Sequence, residues 1–137
     1  MNTPPPKDWA FAIEQKTGLH IADIKWLAGD GSDRSYYRIT LKDQEKTLVL
    51  MQLADKDFIA LKNHKYEWIE IESILHKHGI LTPRPLHTIE ELGLLIIEDY
   101  GNQMLESLFL NKELTTEDIE SKIQPALDLL IKMQSIP

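Results

Sequence analysis

The chain has 137 residues and a formal net charge of −7, and 42% of its residues are hydrophobic. This length suits one modest domain or half of a larger one, and the apolar content is enough for a core. The acidic charge argues against nucleic acid or an anionic membrane as the main partner. Because the chain has no cysteine, disulfides and thiolate metal sites are excluded.

The sequence shows no targeting segment and no membrane-spanning segment. Its start, MNTPPPKDW, has no apolar signal core. The longest nearly apolar run, LGLLII, is far shorter than a membrane span. We therefore expect a cytoplasmic protein without a membrane partner.

A helix is the first predicted element. It follows a flexible, proline-rich leader at residues 1–7, which three consecutive prolines keep out of regular structure. Asp8 can cap the helix, which then runs to about Lys16, and Gly18 suits the residue after its end.

Three strand-like segments come next, at residues 24–29, 35–41 and 46–53. The second alternates apolar and polar residues, as a half-buried strand does. The third is apolar on both faces, which is typical of a covered central strand. Residues 42–45 predict a hairpin turn between the second and third strands.

A helical period then runs through residues 63–78. It predicts one helix with Ile71 and Ile74 on its apolar side and Glu72 among the surrounding charged positions. Gly79 ends this helix.

Two further strands and a helical segment complete the pattern. Residues 85–90 and 92–99 predict the strands, and a short helix is expected at about 103–109. A longer helix begins after Thr115, whose hydroxyl can cap it, with Asp118 three residues on. Pro125 marks either a kink in that helix or the first turn of another.

This element order resembles the N-terminal lobe of the kinase fold, and three motifs resemble the aminoglycoside phosphotransferase family, also called the choline kinase-like group. AGDGSDRSYYRI is similar to the family's small-residue turn, LVLMQLAD to its third strand and LGLLIIEDYG to the end of its fifth strand. The pattern looks most like a bacterial branch that phosphorylates the anomeric hydroxyl of N-acetylmuramate and N-acetylglucosamine. The resemblance covers about residues 9–137.

The resemblance implies an α+β fold, with a kinase-like N-terminal lobe at residues 8–102. This lobe has a five-stranded, mostly antiparallel sheet with one helix inserted after the third strand, plus N-terminal and C-terminal helices. Residues 103–137 would form a helical linker toward a C-terminal lobe that the chain lacks.

The resemblance also implies a nucleotide site. In such a lobe the turn between the first two strands lies over the phosphates, and small residues let backbone N–H groups approach them. Backbone groups at the end of the fifth strand would bind the adenine edge. An ordinary glycine-containing hairpin is the alternative for the turn. The nucleotide-binding candidates are Gly29, Asp30, Gly31, Ser32, Arg34, Val49, Met51, Glu98, Asp99 and Tyr100.

One position departs from the wider kinase pattern. That pattern has a lysine on the third strand, where this chain and the resembling branch have Met51. Glu67 is the candidate for the glutamate that would orient such a lysine, and a solvated surface carboxylate is the alternative. Arg34, Arg38 or Lys56 can supply the missing charge, and the sequence does not choose among them.

The resemblance implies ATP with Mg²⁺ as the nucleotide and a small-molecule hydroxyl, favoured to be a sugar's, as the acceptor. The family's catalytic aspartate and Mg²⁺ ligands lie in the C-terminal lobe, and their motifs do not occur in this sequence. We therefore expect no catalytic residue and no metal ligand here, and little or no transferase activity from this chain alone.

Two other functions stay open. The chain can be a non-catalytic nucleotide-binding or protein-interaction module, dimerising through apolar surface that includes Leu127, Leu130 and Met133. It can also be an unrelated α+β domain without a nucleotide site.

Overall fold

The computed structural model describes residues 4–29, 33–110 and 114–137. Within them the chain is an α+β structure with a five-stranded antiparallel sheet and five α-helices. The elements in chain order are α1 (Trp9–Thr17), β1 (Ile21–Gly29), β2 (Ser35–Leu41), β3 (Thr47–Gln52), α2 (Asp55–Lys62), α3 (Glu67–Lys77), β4 (Pro85–Ile89), β5 (Leu94–Glu98), α4 (Leu105–Leu110) and α5 (Thr116–Gln134). A 3-10 turn at Glu90–Leu92 joins β4 to β5. The sheet order is β1-β2-β3-β5-β4.

Helix α1 begins and ends about where the sequence predicts, but the predicted capping bond at its start is absent. Gly18 follows it in the left-handed conformation, with φ 72°, and its N–H donates to the carbonyl of Glu14. Asp8 precedes the helix, yet its side chain makes no capping hydrogen bond, so that part of the prediction is wrong. Trp9 and Ile13 are buried, which holds α1 against the sheet through packing.

Strand β3 is buried on both faces of the sheet. Four consecutive residues of β3, from Leu48 to Met51, are buried, which confirms the prediction of a covered central strand. The face toward α1 carries the larger hydrophobic cluster, formed by Trp9, Ile13, Ile21, Tyr37, Ile39, Leu41, Leu48, Leu50, Ile89, Leu94 and Ile96. We call the opposite side, which carries the cluster of Val49, Met51, Leu53, Leu61, Tyr66, Leu95 and Ile97, the second face.

Two helices, not one, lie between β3 and β4. The sequence predicts a single helix from residue 63, whereas α2 comes first and α3 follows after residues 63–66. Helix α2 is short, and its N-cap, Ala54, provides no side-chain hydrogen bond. The residues of this segment alone therefore give little indication that a helix forms here. It forms because Leu61 is buried in the second face and Phe58 packs against the same cluster.

Helix α3 also differs from its prediction in orientation. Glu72, expected among the outer positions, is buried, and the hydroxyl of Thr82 lies 3.5 Å from its carboxylate. Ile71 and Ile74, expected inside, are about half exposed.

The chain forms two compact units. The first comprises Met1–Ile71 and Pro83–Asp99 and contains the sheet. The second comprises Glu72–Thr82 and Tyr100–Pro137. The division that the sequence places between residues 102 and 103 stays a prediction.

The second unit contains α5, which continues through Pro125 as one helix. Its predicted start is confirmed, since Thr115 and Asp118 form a reciprocal capping box. Leu127, Leu130 and Met133 are between 41% and 49% exposed, as the dimer hypothesis requires, and the dimer itself stays a prediction. In the three described ranges, no helix has the length and apolar character needed to cross a membrane.

We expect Thr115→Ala to destabilise α5 by about 1 kcal/mol, because Ala cannot accept the bond from the Asp118 N–H. Thr115→Ser should retain most of the stability. Thr116→Ala, the same change at the adjacent exposed residue, serves as the control. Urea unfolding followed by circular dichroism measures the difference, and equal stability of the two alanine variants would contradict the capping role.

The same cap predicts a pH dependence. The pKa of Asp118 is lowered, first by the hydrogen bond from the Thr115 hydroxyl and then by the Thr115 backbone N–H. Because the folded pKa lies below the unfolded one, the contribution of Asp118 is complete above a pH of about 4 and is lost as pH falls through the folded pKa. Unfolding curves on both sides of that pH should show a smaller acid-induced loss in Asp118→Asn than in the parent.

Candidate functional site

The predicted phosphate-covering turn joins β1 to β2 at one end of the sheet. Gly29 pairs with Ser35 across this connection, while the candidates at residues 30–32 lie outside the described residues. Asp33 follows with φ 60°, a left-handed conformation that aspartate adopts more readily than most residues. The C-terminal end of β3 lies at the same end of the sheet, since Ser35 also pairs with Gln52.

The predicted adenine-binding segment lies at the opposite end of β3. Glu98 pairs with Leu48, and Leu94, at the other end of β5, pairs with Gln52. At about 3.4 Å per residue, this register separates the two ends by about 14 Å. Tyr100, which is 59% exposed, belongs to the second unit.

Asp99 anchors the end of β5 to two other strands. Its carboxylate accepts from the Arg38 Nε at 2.6 Å and Nη2 at 3.2 Å, and from the Thr47 hydroxyl at 2.6 Å. The Asp99 side chain is 3% exposed and that of Arg38 is 22% exposed. Arg38 is therefore committed to a nearly buried ion pair.

Val49 and Met51 are packed as core residues of the second face. Met51, at the position of the kinase strand lysine, is 1% exposed and belongs to the same cluster as Leu61 and Tyr66. It brings no charge to the site.

A pocket of about 390 Å³ lies within the first unit, beside the segment that follows the turn. It is lined by Arg34 from that segment, by Lys56 from α2 and by Glu67 from the start of α3. The structure thus brings together three residues that the sequence names separately. Lys65 and Asp57 add a cation and a carboxylate, and we call this the Arg34 pocket.

Arg34 is held in place by Asp57. The Arg34 Nε donates to Asp57 Oδ2 at 2.8 Å, and the two side chains are 24% and 14% exposed. Burial acts to lower the pKa of Arg34, but hydrogen bonds to Asp57 and Tyr36 outweigh it and raise the pKa above its usual value. Arg34 therefore presents a fixed positive charge to the pocket.

A second pocket, of about 540 Å³, adjoins this region. It is lined by Asp33, by Gln52 at the end of β3 and by Asp55 and Lys56 of α2. Lys56 lines both pockets, so the first turn of α2 lies beside the residues that follow the glycine turn.

Sequence reasoning missed Asp57 and Lys65 as members of the site. Asp57 lies in α2, which the sequence analysis did not recognise, and Lys65 lies between α2 and α3, in a segment that the sequence analysis placed inside one helix. The available signal was Asp-Lys-Asp directly after the third strand, because acidic residues favour the first turn of a helix.

Within the described parts of the chain, no group of three or more His, Cys, Asp or Glu side chains is arranged to hold a metal ion. No model of a known protein family matches the chain, and no curated protein matches it. The family resemblance of the three motifs therefore continues as a proposal.

Proposed function

We propose that this chain is the nucleotide-binding half of an ATP-dependent phosphotransferase that acts on a small-molecule hydroxyl, with a sugar as the favoured acceptor. The observation that carries the proposal is the Arg34 pocket, where Arg34, Lys56 and Glu67 meet beside a glycine-containing turn. A cationic pocket next to such a turn suits phosphate groups, since backbone N–H groups and Arg or Lys side chains are their usual ligands.

The sheet register supports the same proposal. Strand β3 runs about 14 Å from Gln52, which pairs with Ser35 shortly after the turn, to Leu48, which pairs with the last residue of β5. This distance is comparable with the length of an extended nucleoside triphosphate. Backbone groups of Asp99, with the carbonyl of Glu98, would then bind adenine at one end, since the Glu98 N–H already donates to the Arg84 carbonyl. The turn and Arg34 would bind the phosphates at the other end.

In this role the chain's own residues bind and orient the nucleotide. ATP supplies the phosphoryl group that is transferred. The catalytic base and the Mg²⁺ ligands would lie outside this sequence, because the motifs that provide them in kinase-like enzymes do not occur in it.

Gly31→Val tests the turn. The branched side chain hinders the close approach of backbone N–H groups to phosphate oxygens, and it disfavours a positive φ. We expect the parent chain to bind Mg-ATP in a calorimetric titration and the variant to bind at least tenfold more weakly.

Ala22→Val is the matched control, since it introduces the same valine side chain at an exposed position at the far end of β1. It should bind Mg-ATP like the parent. Equal binding by Gly31→Val and Ala22→Val would contradict a phosphate-covering turn, and the absence of Mg-ATP binding by the folded parent would contradict the proposed function.

A further inference from the structure

We infer that Lys56 of α2 and Arg34 together bind the phosphate groups, and that Lys56 takes the place of the strand lysine that this chain lacks. The inference rests on the proposed function for the identity of the ligand as a nucleotide. The cations of the Arg34 pocket would bind an oligophosphate whether or not it belongs to a nucleotide.

Neither position 51 nor Arg38, the third candidate cation, can supply the charge. Residue 51 is a methionine, 1% exposed and packed in the cluster of the second face. Arg38 is bound through two nitrogens to Asp99, which is 3% exposed. Moving Arg38 toward a ligand would leave a nearly buried carboxylate without its cation, which is strongly unfavourable.

Arg34 is fixed in a geometry that suits an anion. Asp57 accepts from Nε, the guanidinium nitrogen nearest the main chain. Arg34 also hydrogen-bonds Tyr36, so two side chains hold its guanidinium, whose planar fork carries five N–H donors and matches phosphate oxygens. Asp57, in the first turn of α2, is therefore a positioning residue, because its carboxylate orients the Arg34 guanidinium.

Lys56 provides the second cation from a position that bridges the two pockets. One pocket contains Arg34 and the other Asp33, the two residues that follow the glycine turn. Asp33 and Asp55 repel an anion from the second pocket. The Arg34 pocket has three cationic and two carboxylate side chains, and one of those carboxylates is already paired with Arg34. The phosphates are therefore assigned to the Arg34 pocket, with Lys65 as the third cation at its wall.

The test compares Lys56→Gln and Arg34→Gln with the parent in calorimetric titrations of Mg-ATP, adenosine and inorganic tripolyphosphate. Each variant should bind Mg-ATP and tripolyphosphate about tenfold more weakly, as expected for the loss of one charge-assisted hydrogen bond. Adenosine binding should be unchanged, because it has no phosphate.

Matched controls separate a local effect from a change in net charge. Lys7→Gln and Lys122→Gln remove one positive charge each at exposed positions that do not line the Arg34 pocket, and both should bind like the parent. Arg34→Gln can destabilise the fold by leaving Asp57 without its cation. Lys56 is exposed, so Lys56→Gln keeps the test valid in a folded protein.

The outcomes distinguish the two proposals. Unchanged Mg-ATP binding in Lys56→Gln and Arg34→Gln would overturn the inference and leave the proposed function standing. Tripolyphosphate binding that depends on both residues, without Mg-ATP binding, would support the phosphate site and contradict the nucleotide function. A folded parent that binds neither ligand would overturn both.

Discussion

Asp99→Ala is expected to lower the free energy of unfolding by about 3 kcal/mol, the effect of removing one partner of a buried ion pair. The carboxylate of Asp99 is 3% exposed and binds both Arg38 and Thr47. Its loss leaves the Arg38 guanidinium, only 22% exposed, without that carboxylate, and it removes the side-chain bonds from the residue after β5 to β2 and β3. The loss is large because small domains are stable by only about 5–15 kcal/mol.

Chemical denaturation measures this effect, with Asp43→Ala as the control at an exposed carboxylate in the β2–β3 connection. Asp99→Asn should fall between parent and Asp99→Ala, because the amide oxygen can still accept from Thr47 while the charge is lost. If Asp99→Ala were as stable as Asp43→Ala, the anchoring role of Asp99 would be wrong.

Leu50→Ala is expected to destabilise the protein by about 2–5 kcal/mol, the range for truncating a fully buried aliphatic side chain. Leu50 lies on the central strand β3, pairs with Ile96 of β5, and is 0% exposed in the cluster that packs against α1. Replacing its isobutyl side chain by a methyl group leaves a cavity between the sheet and the helix, where neighbours on two strands restrict relaxation.

Leu81→Ala provides the matched comparison, since Leu81 is 73% exposed and loses little on truncation. Thermal or urea unfolding should give a midpoint for Leu50→Ala far below those of the parent and Leu81→Ala. Similar midpoints for the two variants would show that the assignment of this core is incorrect.

The strands could be predicted from the sequence because burial on the sheet follows the hydrophobic pattern. β2 alternates and β3 is buried on both faces, as their residues indicate, and Thr115 caps α5 through a recognisable capping box. Helix α2 could not be predicted in this way. Leu61 is its one buried residue, so its stability depends on packing against strands that are distant in sequence.

The sequence predicted several residues of the candidate site but not how they are arranged. Arg34, Lys56 and Glu67 were each named from the sequence, yet their common pocket depends on α2. The structural use of Asp99 was also hidden, because its partners Arg38 and Thr47 lie 61 and 52 residues away along the chain. Local patterns carry no information on such pairings.

The most direct test of the proposed nucleotide site is an NMR titration of the ¹⁵N-labelled chain with Mg-ATP. We predict that backbone amide signals shift from Gly29 to Arg34 and at Glu98 and Asp99, at the two ends of β3, while signals in α1, which packs on the face opposite the Arg34 pocket, stay unchanged. Shifts confined to other surfaces, or none at saturating Mg-ATP, would contradict a nucleotide site on this sheet.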